Sequence, residues 1–172
     1  MHFLKFRHFA LRAGLLGLLA LCSGQSVFAQ AKGDVAVNLA AKKVVADTKG
    51  KESLQSADKA RPGDVIQYDA VYSNTGKGAV KSLQATMPIP EGLELIADST
   101  KPSGALASLD GKTFTPMPVM REVAKPDGTR EMQPVPLAEY RSLRWSIVEL
   151  APGKSATVTA RARMLTNSPQ PK

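Results

Sequence analysis

The chain has 172 residues, of which 23 are basic and 15 acidic (formal net charge +8), with a single Cys and two His. That length suits one domain with a full core, because a chain of about 150 residues buries roughly two-thirds of its unfolded surface without disulfides. The positive balance is moderate and the lysines are scattered, which argues against nucleic acid as a partner and fits weak attraction to acidic envelope polymers.

The N-terminal stretch MHFLKFRHFALR holds Lys5, Arg7 and Arg12 and no acid; AGLLGLLALCSG is apolar, and SVFAQA offers small residues for cleavage. This is the pattern of a secretory signal peptide over residues 1–29, cut between Ala29 and Gln30 or, alternatively, after Ala31. The apolar run falls short of the roughly 20 residues of a spanning helix, so no transmembrane span is expected after cleavage. LALC around Cys22 resembles a lipoprotein box, although Leu21 is larger than the residue such a box places before its Cys.

Cleavage after Ala29 also removes Cys22, His2 and His8. The three basic residues of the leader leave with it, so 20 basic residues face 15 acidic ones, net +5. A chain without thiol or imidazole cannot use a Cys nucleophile, a Ser-His pair, a Cys/His zinc site or haem ligation by those groups. The sequence therefore predicts a non-enzymatic protein with no cofactor, no metal and no catalytic residues.

VAVNLAAKKVV (residues 35–45) opens with Val35, Val37 and Leu39 on one face and reads as a strand. ADTKGKESLQSADKARPGD, polar and turn-rich, reads as a long solvated loop. Period-two alternation then recurs in Ile66, Tyr68, Ala70 and Tyr72; in Leu83, Ala85 and Met87; in Leu143, Trp145 and Ile147; and in Ala156, Val158, Ala160, Ala162 and Met164. Such alternation marks half-buried strands of antiparallel sheets with one wet face. Turn clusters separate them: Pro62-Gly63-Asp64, Asn74-Thr75-Gly76-Lys77-Gly78, Pro88 to Gly92 and Pro152-Gly153-Lys154, with Asp110-Gly111 and Asp127-Gly128 as hairpin pairs. Residues 101–139 hold six of the twelve prolines and read as an extended insertion of hairpins and loops.

The stretch RPGDVIQYDAVYSNTGKGAVKSLQATMPIPEGLELIADS, followed downstream by LRWSIVELAPGKSATVTARARM, resembles the bacterial conserved-repeat domain of secreted and surface proteins, a family of unknown function. Pro62, Gly63, Asp64, Tyr68, Asn74, Thr75, Gly76, Pro88, Pro90, Gly92, Leu93, Trp145, Leu150, Pro152, Gly153 and Ser155 carry the likeness. It covers roughly residues 35–165, in a single copy and with a longer insertion than the family pattern. The resemblance implies an immunoglobulin-like antiparallel β-sandwich and no catalytic residue or cofactor.

The expected organisation is thus a signal peptide (1–29), one all-β domain (30–165) and a frayed tail (166–172). Trp145 is expected in the core. Arg144, Arg161 and Arg163 face away from the apolar residues of their strands; if those strands pair, they form a basic stripe able to bind carboxylate or phosphate groups. Asp98, Asp110, Asp127 and Glu131 lie in or near loops, and nothing in their spacing selects a catalytic pair or a calcium loop. The function expected is that of a secreted, non-catalytic module, periplasmic or at the cell surface. Its expected partner is another envelope or surface protein, met through the Pro-rich insertion or an open strand edge. The alternative is an acidic polysaccharide or other envelope polymer, met through the arginines.

Overall fold

The computed structural model describes residues 34–166. The leader, Cys22 and the tail beyond Thr166 lie outside the described residues. Eleven strands follow one another among the described residues: β1 (Val35–Ala46), β2 (Glu52–Ser56), β3 (Val65–Asn74), β4 (Val80–Pro88), β5 (Leu93–Leu95), β6 (Leu106–Ser108), β7 (Thr115–Pro116), β8 (Met120–Ala124), β9 (Arg130–Pro134), β10 (Ser142–Leu150) and β11 (Ser155–Met164). One five-stranded sheet has the order β2-β1-β3-β11-β5 and a four-stranded sheet the order β4-β10-β6-β7, while β8 and β9 stand apart as a two-stranded arm. Every pairing is antiparallel. The architecture is all-β and β-sandwich-like.

The alternation seen in the sequence is the cause of this layering. Ile66, Ala70 and Tyr72 of β3 and Val158, Ala160 and Ala162 of β11 are buried, as are Ala85 and Met87 of β4 and Leu143 and Trp145 of β10. Both sheets bring large and small side chains to the interior, Tyr72 and Leu95 with Ala70, Ala160 and Ala162 from the five-stranded sheet and Met87, Leu143 and Trp145 with Ala85 and Ala107 from the four-stranded one; such interleaving fills a core without voids. Trp145 is 3% exposed, as expected, and its indole N–H donates to the Pro102 carbonyl at 2.8 Å. Tyr72 is also buried, and its hydroxyl donates to the Thr86 carbonyl at 2.7 Å, linking the two sheets.

One expectation changes. The segment expected as a loop contains β2 and a 3-10 turn at Ala57–Lys59. All five residues of β2 are exposed, so no buried face imposes alternation on ESLQS; the pairing is with β1 alone. Residues 101–139, expected as hairpins and loops, contain the hairpins β6–β7 and β8–β9. They supply β6 and β7 to the four-stranded sheet and Ala105, Ala107 and Val135 to the core.

Two of the chain crossings between the sheets, β3 to β4 and β10 to β11, meet at Asn74, which is 1% exposed. Its amide nitrogen donates to the carbonyls of Gly78 and Leu150, both at 2.8 Å, and its side-chain oxygen accepts from the Gly76 N–H at 2.9 Å. Its backbone bonds Gly153 and Lys154 of the other turn. Gly76 has to be glycine for a steric reason: a Cβ there would sit 2.4 Å from the side chain of Asp34.

Candidate interaction surface

β10 and β11 do not pair; they belong to opposite sheets, so the basic stripe of Arg144, Arg161 and Arg163 does not form. Arg144 lies on the outer face of the four-stranded sheet, stacked 3.5 Å from the Phe114 ring centroid and donating to Thr86 Oγ1 at 3.2 Å. Arg161 and Arg163 share the outer face of the other sheet. Arg161 donates to Gln67 Oε1 at 3.0 Å and forms an ion pair with Glu52 at 2.9 Å. Arg163 is exposed and sits in register between Val65 and Glu94. The physical reason for the split is that β10 and β11 each need a covered apolar face, and facing one another across the core covers both.

The loop acids are occupied by turn chemistry. Asp110 Oδ1 accepts from the N–H groups of Lys112 and Thr113 and from Ser108 Oγ, each at 2.8 Å. These bonds, the two backbone ones foremost, hold its pKa down at about 2 against an ordinary 3.8. Hydrogen bonds to the charged form favour that form, so the stabilisation is complete above the unfolded value and fades as pH falls through about 2. Denaturant titrations of the wild type and Asp110→Asn are expected to differ by a constant amount above about pH 4 and to converge between about pH 4 and 2. A pH-independent difference would contradict this assignment. Asp127 accepts from the N–H and hydroxyl of Thr129 and closes the β8–β9 turn, where Gly128 takes φ 83°. Glu131 pairs with Lys125. Asp98 adopts φ 57° in the turn after β5. Among the described residues no cluster of three or more His, Cys, Asp or Glu is placed to hold a metal, and no helix is long and apolar enough to cross a membrane.

The most distinctive surface is the β8–β9 arm. Nearly every residue in it is exposed, Val123 being half-buried. Its register sets Met120 opposite Pro134, Glu122 opposite Met132 and Ala124 opposite Arg130, so Met120, Met132, Ala124 and Pro134 share one face with Glu122 and Arg130, which pair with each other at 3.1 Å. The two methionines are 44% and 55% exposed. An isolated two-stranded hairpin is only marginally stable in water, and here the root is what secures it. The Val119 N–H donates to the hydroxyl of Tyr140, a fully buried residue, at 2.8 Å, and the Val135 N–H donates to the Val119 carbonyl at 2.8 Å. Arg121 forks onto both carboxylate oxygens of Glu139 at 2.7 and 3.0 Å, and this contact lowers the glutamate's pKa. An apolar hollow of about 180 Å³ opens beside the root, lined by Leu95, Ile96, Met117, Pro118, Leu137 and Tyr140 among others.

No protein-family model matches the chain, and no curated protein or solved structure matches it. Function has to be argued from the molecule's own geometry. The Asp127-Gly128 pair announced the arm's turn in the sequence; the methionines beside it carried no such signal, because an exposed arm face has no period to obey.

Proposed function

We propose that this protein is an exported, non-catalytic module of immunoglobulin-like, conserved-repeat type that works in the cell envelope or at the cell surface by binding another protein through the β8–β9 arm. The carrying observation is the arm: a hairpin anchored at its root and displaying two exposed methionines, Met120 and Met132, beside the Arg130–Glu122 ion pair on one face. Methionine suits an adaptable contact because its flexible, polarisable side chain fits irregular apolar surfaces. The hollow at the root is comparable with the roughly 150 Å³ that admits a benzene-sized group, so it could seat one apolar side chain of the partner. The export reading rests on the leader over residues 1–29. Polymer binding through the arginines gains no support, since Arg161 is already neutralised by Glu52 and Arg144 lies on the opposite sheet.

The test is partner recovery from the host's envelope fraction. Replacing Met120 and Met132 by Ser is expected to reduce recovery of the partner at least about tenfold, as loss of a hot-spot contact does. The thermal midpoint is expected to stay within a few degrees, as exposed substitutions leave it. Full recovery with a variant in which residues 120–134 are replaced by a short turn would overturn the reading.

A further inference from the structure

β1 is twelve residues long, and β2 pairs with only five of them, residues 42–46. Among the described residues, residues 35–41, VAVNLAA, are therefore paired with β3 on one side and with no strand on the other. The other sheet edges are blunted by means that deter strand addition. β2 is short, with Glu52. β4 carries Lys81, Ser82 at φ 53° and Pro88. β5 has three residues, and β7 has two, one of them Pro116. Residues 35–41 hold no charge, no Pro and no bulge, and Leu39 is 42% exposed although it lies on the inward face.

The hydrogen-bonding phase of this edge is determined. The Asp34 carbonyl accepts from Thr75 on the β3 side, and the Asp47 N–H donates to Lys51 on the β2 side. Alternation along an antiparallel strand then turns the N–H and C=O groups of Val35, Val37, Leu39 and Ala41 to the open side.

We propose that this edge binds a second copy of the chain, β1 against β1 in antiparallel register about a two-fold axis at Asn38. That register sets Val37 opposite the second copy's Leu39 and Val35 opposite its Ala41, so outward-turned groups meet outward-turned groups and about eight hydrogen bonds form. Inward side chains meet apolar partners, Ala36 meets Ala40, and the Asn38 amides meet each other. No like charges are opposed. An isologous contact needs such self-complementarity, and this stretch has it in the one register that uses all seven open residues. Ser56, where β2 ends, and Asp34, just before β1 begins, bound the open stretch and so limit slippage. The two five-stranded sheets would become one continuous sheet, and the inward face of Leu39 would be covered by Val37 of the second copy. The inference does not depend on the arm.

The test uses the purified chain in a Cys22→Ser background. Residues flanking the axis form a non-hydrogen-bonded pair with Cα atoms about 4.5 Å apart, within disulfide reach. Asn38→Cys is expected to yield a disulfide-linked dimer under mild oxidation much faster than Val148→Cys, a position 85% exposed on the other sheet. Sedimentation velocity is expected to show reversible dimerisation in a series reaching roughly 1 mM, the weak range of small interfaces. Leu39→Lys puts a charge opposite Val37 twice per dimer and is expected to weaken association by about tenfold or more, with an unchanged thermal midpoint in dilute solution. A chain that stays monomeric throughout the series, with Asn38→Cys cross-linking no faster than Val148→Cys, overturns the proposal. So does an edge occupied only when a different protein is added.

Discussion

Trp145→Ala is expected to cost about 3–5 kcal/mol of stability, the largest loss from any single truncation in this chain. The indole lies in the middle of β10, on the inward face, with Leu143 beside it and Ala85 opposite on β4. Removing it leaves a cavity that the small residues of the opposing sheet, Ala70, Ala160 and Ala162, are too short to fill. It also strands the Pro102 carbonyl, which receives the indole N–H. For a domain of this size the loss corresponds to a fall of about 10–15 °C in thermal midpoint. Trp145→Phe separates the two contributions: it keeps most of the apolar volume and forfeits the hydrogen bond, which is worth about 1 kcal/mol. Thermal melts of the three proteins check the ordering. Because Trp145 is the only Trp, wild-type emission should be blue-shifted when folded and move red on unfolding. A Trp145→Ala protein as stable as the wild type would mean that the two sheets do not enclose this residue.

Much of this core is legible in the sequence because burial leaves a period there. Strands β3, β4, β10 and β11 each alternate, and each has its apolar set facing inward. Where no face is buried, no period arises, and β2 went unseen for that reason. Alternation also specifies which way a strand faces and says nothing of its lateral neighbour. β10 and β11 are joined by a tight Pro152-Gly153 turn, yet they occupy different sheets. Arg144 and Arg161 therefore lie on outer faces as alternation requires, but the condition for a common stripe, pairing of β10 with β11, is not met. Residues 101–139 show a third limit. Pro-rich composition marks turns well, but it hides short strands such as β6, whose three residues cannot establish a pattern. Site residues suffered most, since an exposed Met120 or an uncharged edge at residues 35–41 becomes meaningful only once its neighbours are placed. The Asn74-Thr75-Gly76 turn lies between these extremes: its residue types announced a crossing, and only the fold revealed that its amide also holds the β10–β11 crossing.

Asn74→Ala is accordingly expected to destabilise the protein by about 2–4 kcal/mol, more than its side-chain volume explains. Three backbone groups lose their partner at once: the carbonyls of Gly78 and Leu150 and the Gly76 N–H. At the buried end of β10 the Leu150 carbonyl has little water to turn to, and an unsatisfied buried acceptor costs its full desolvation penalty. The chain would lose the clamp between the β3–β4 and β10–β11 connections, so amide exchange should quicken at residues 74–80 and 150–155 before the sheet centres open. Asn74→Asp sharpens the test through pH. It keeps the shape and the acceptor for Gly76, but it aims an oxygen at two carbonyl oxygens, which penalises the ionised form. Its folded pKa must then rise above the unfolded value of about 3.9. A raised folded pKa gives stability that is complete below the unfolded value and lost as pH rises through the folded one. Denaturant titrations should therefore find Asn74→Asp closest to the wild type near pH 4 and furthest from it at pH 7, while the deficit of Asn74→Ala stays flat. Equal deficits for Asn74→Asp at both pH values would show that the amide nitrogen does not face those carbonyls in solution.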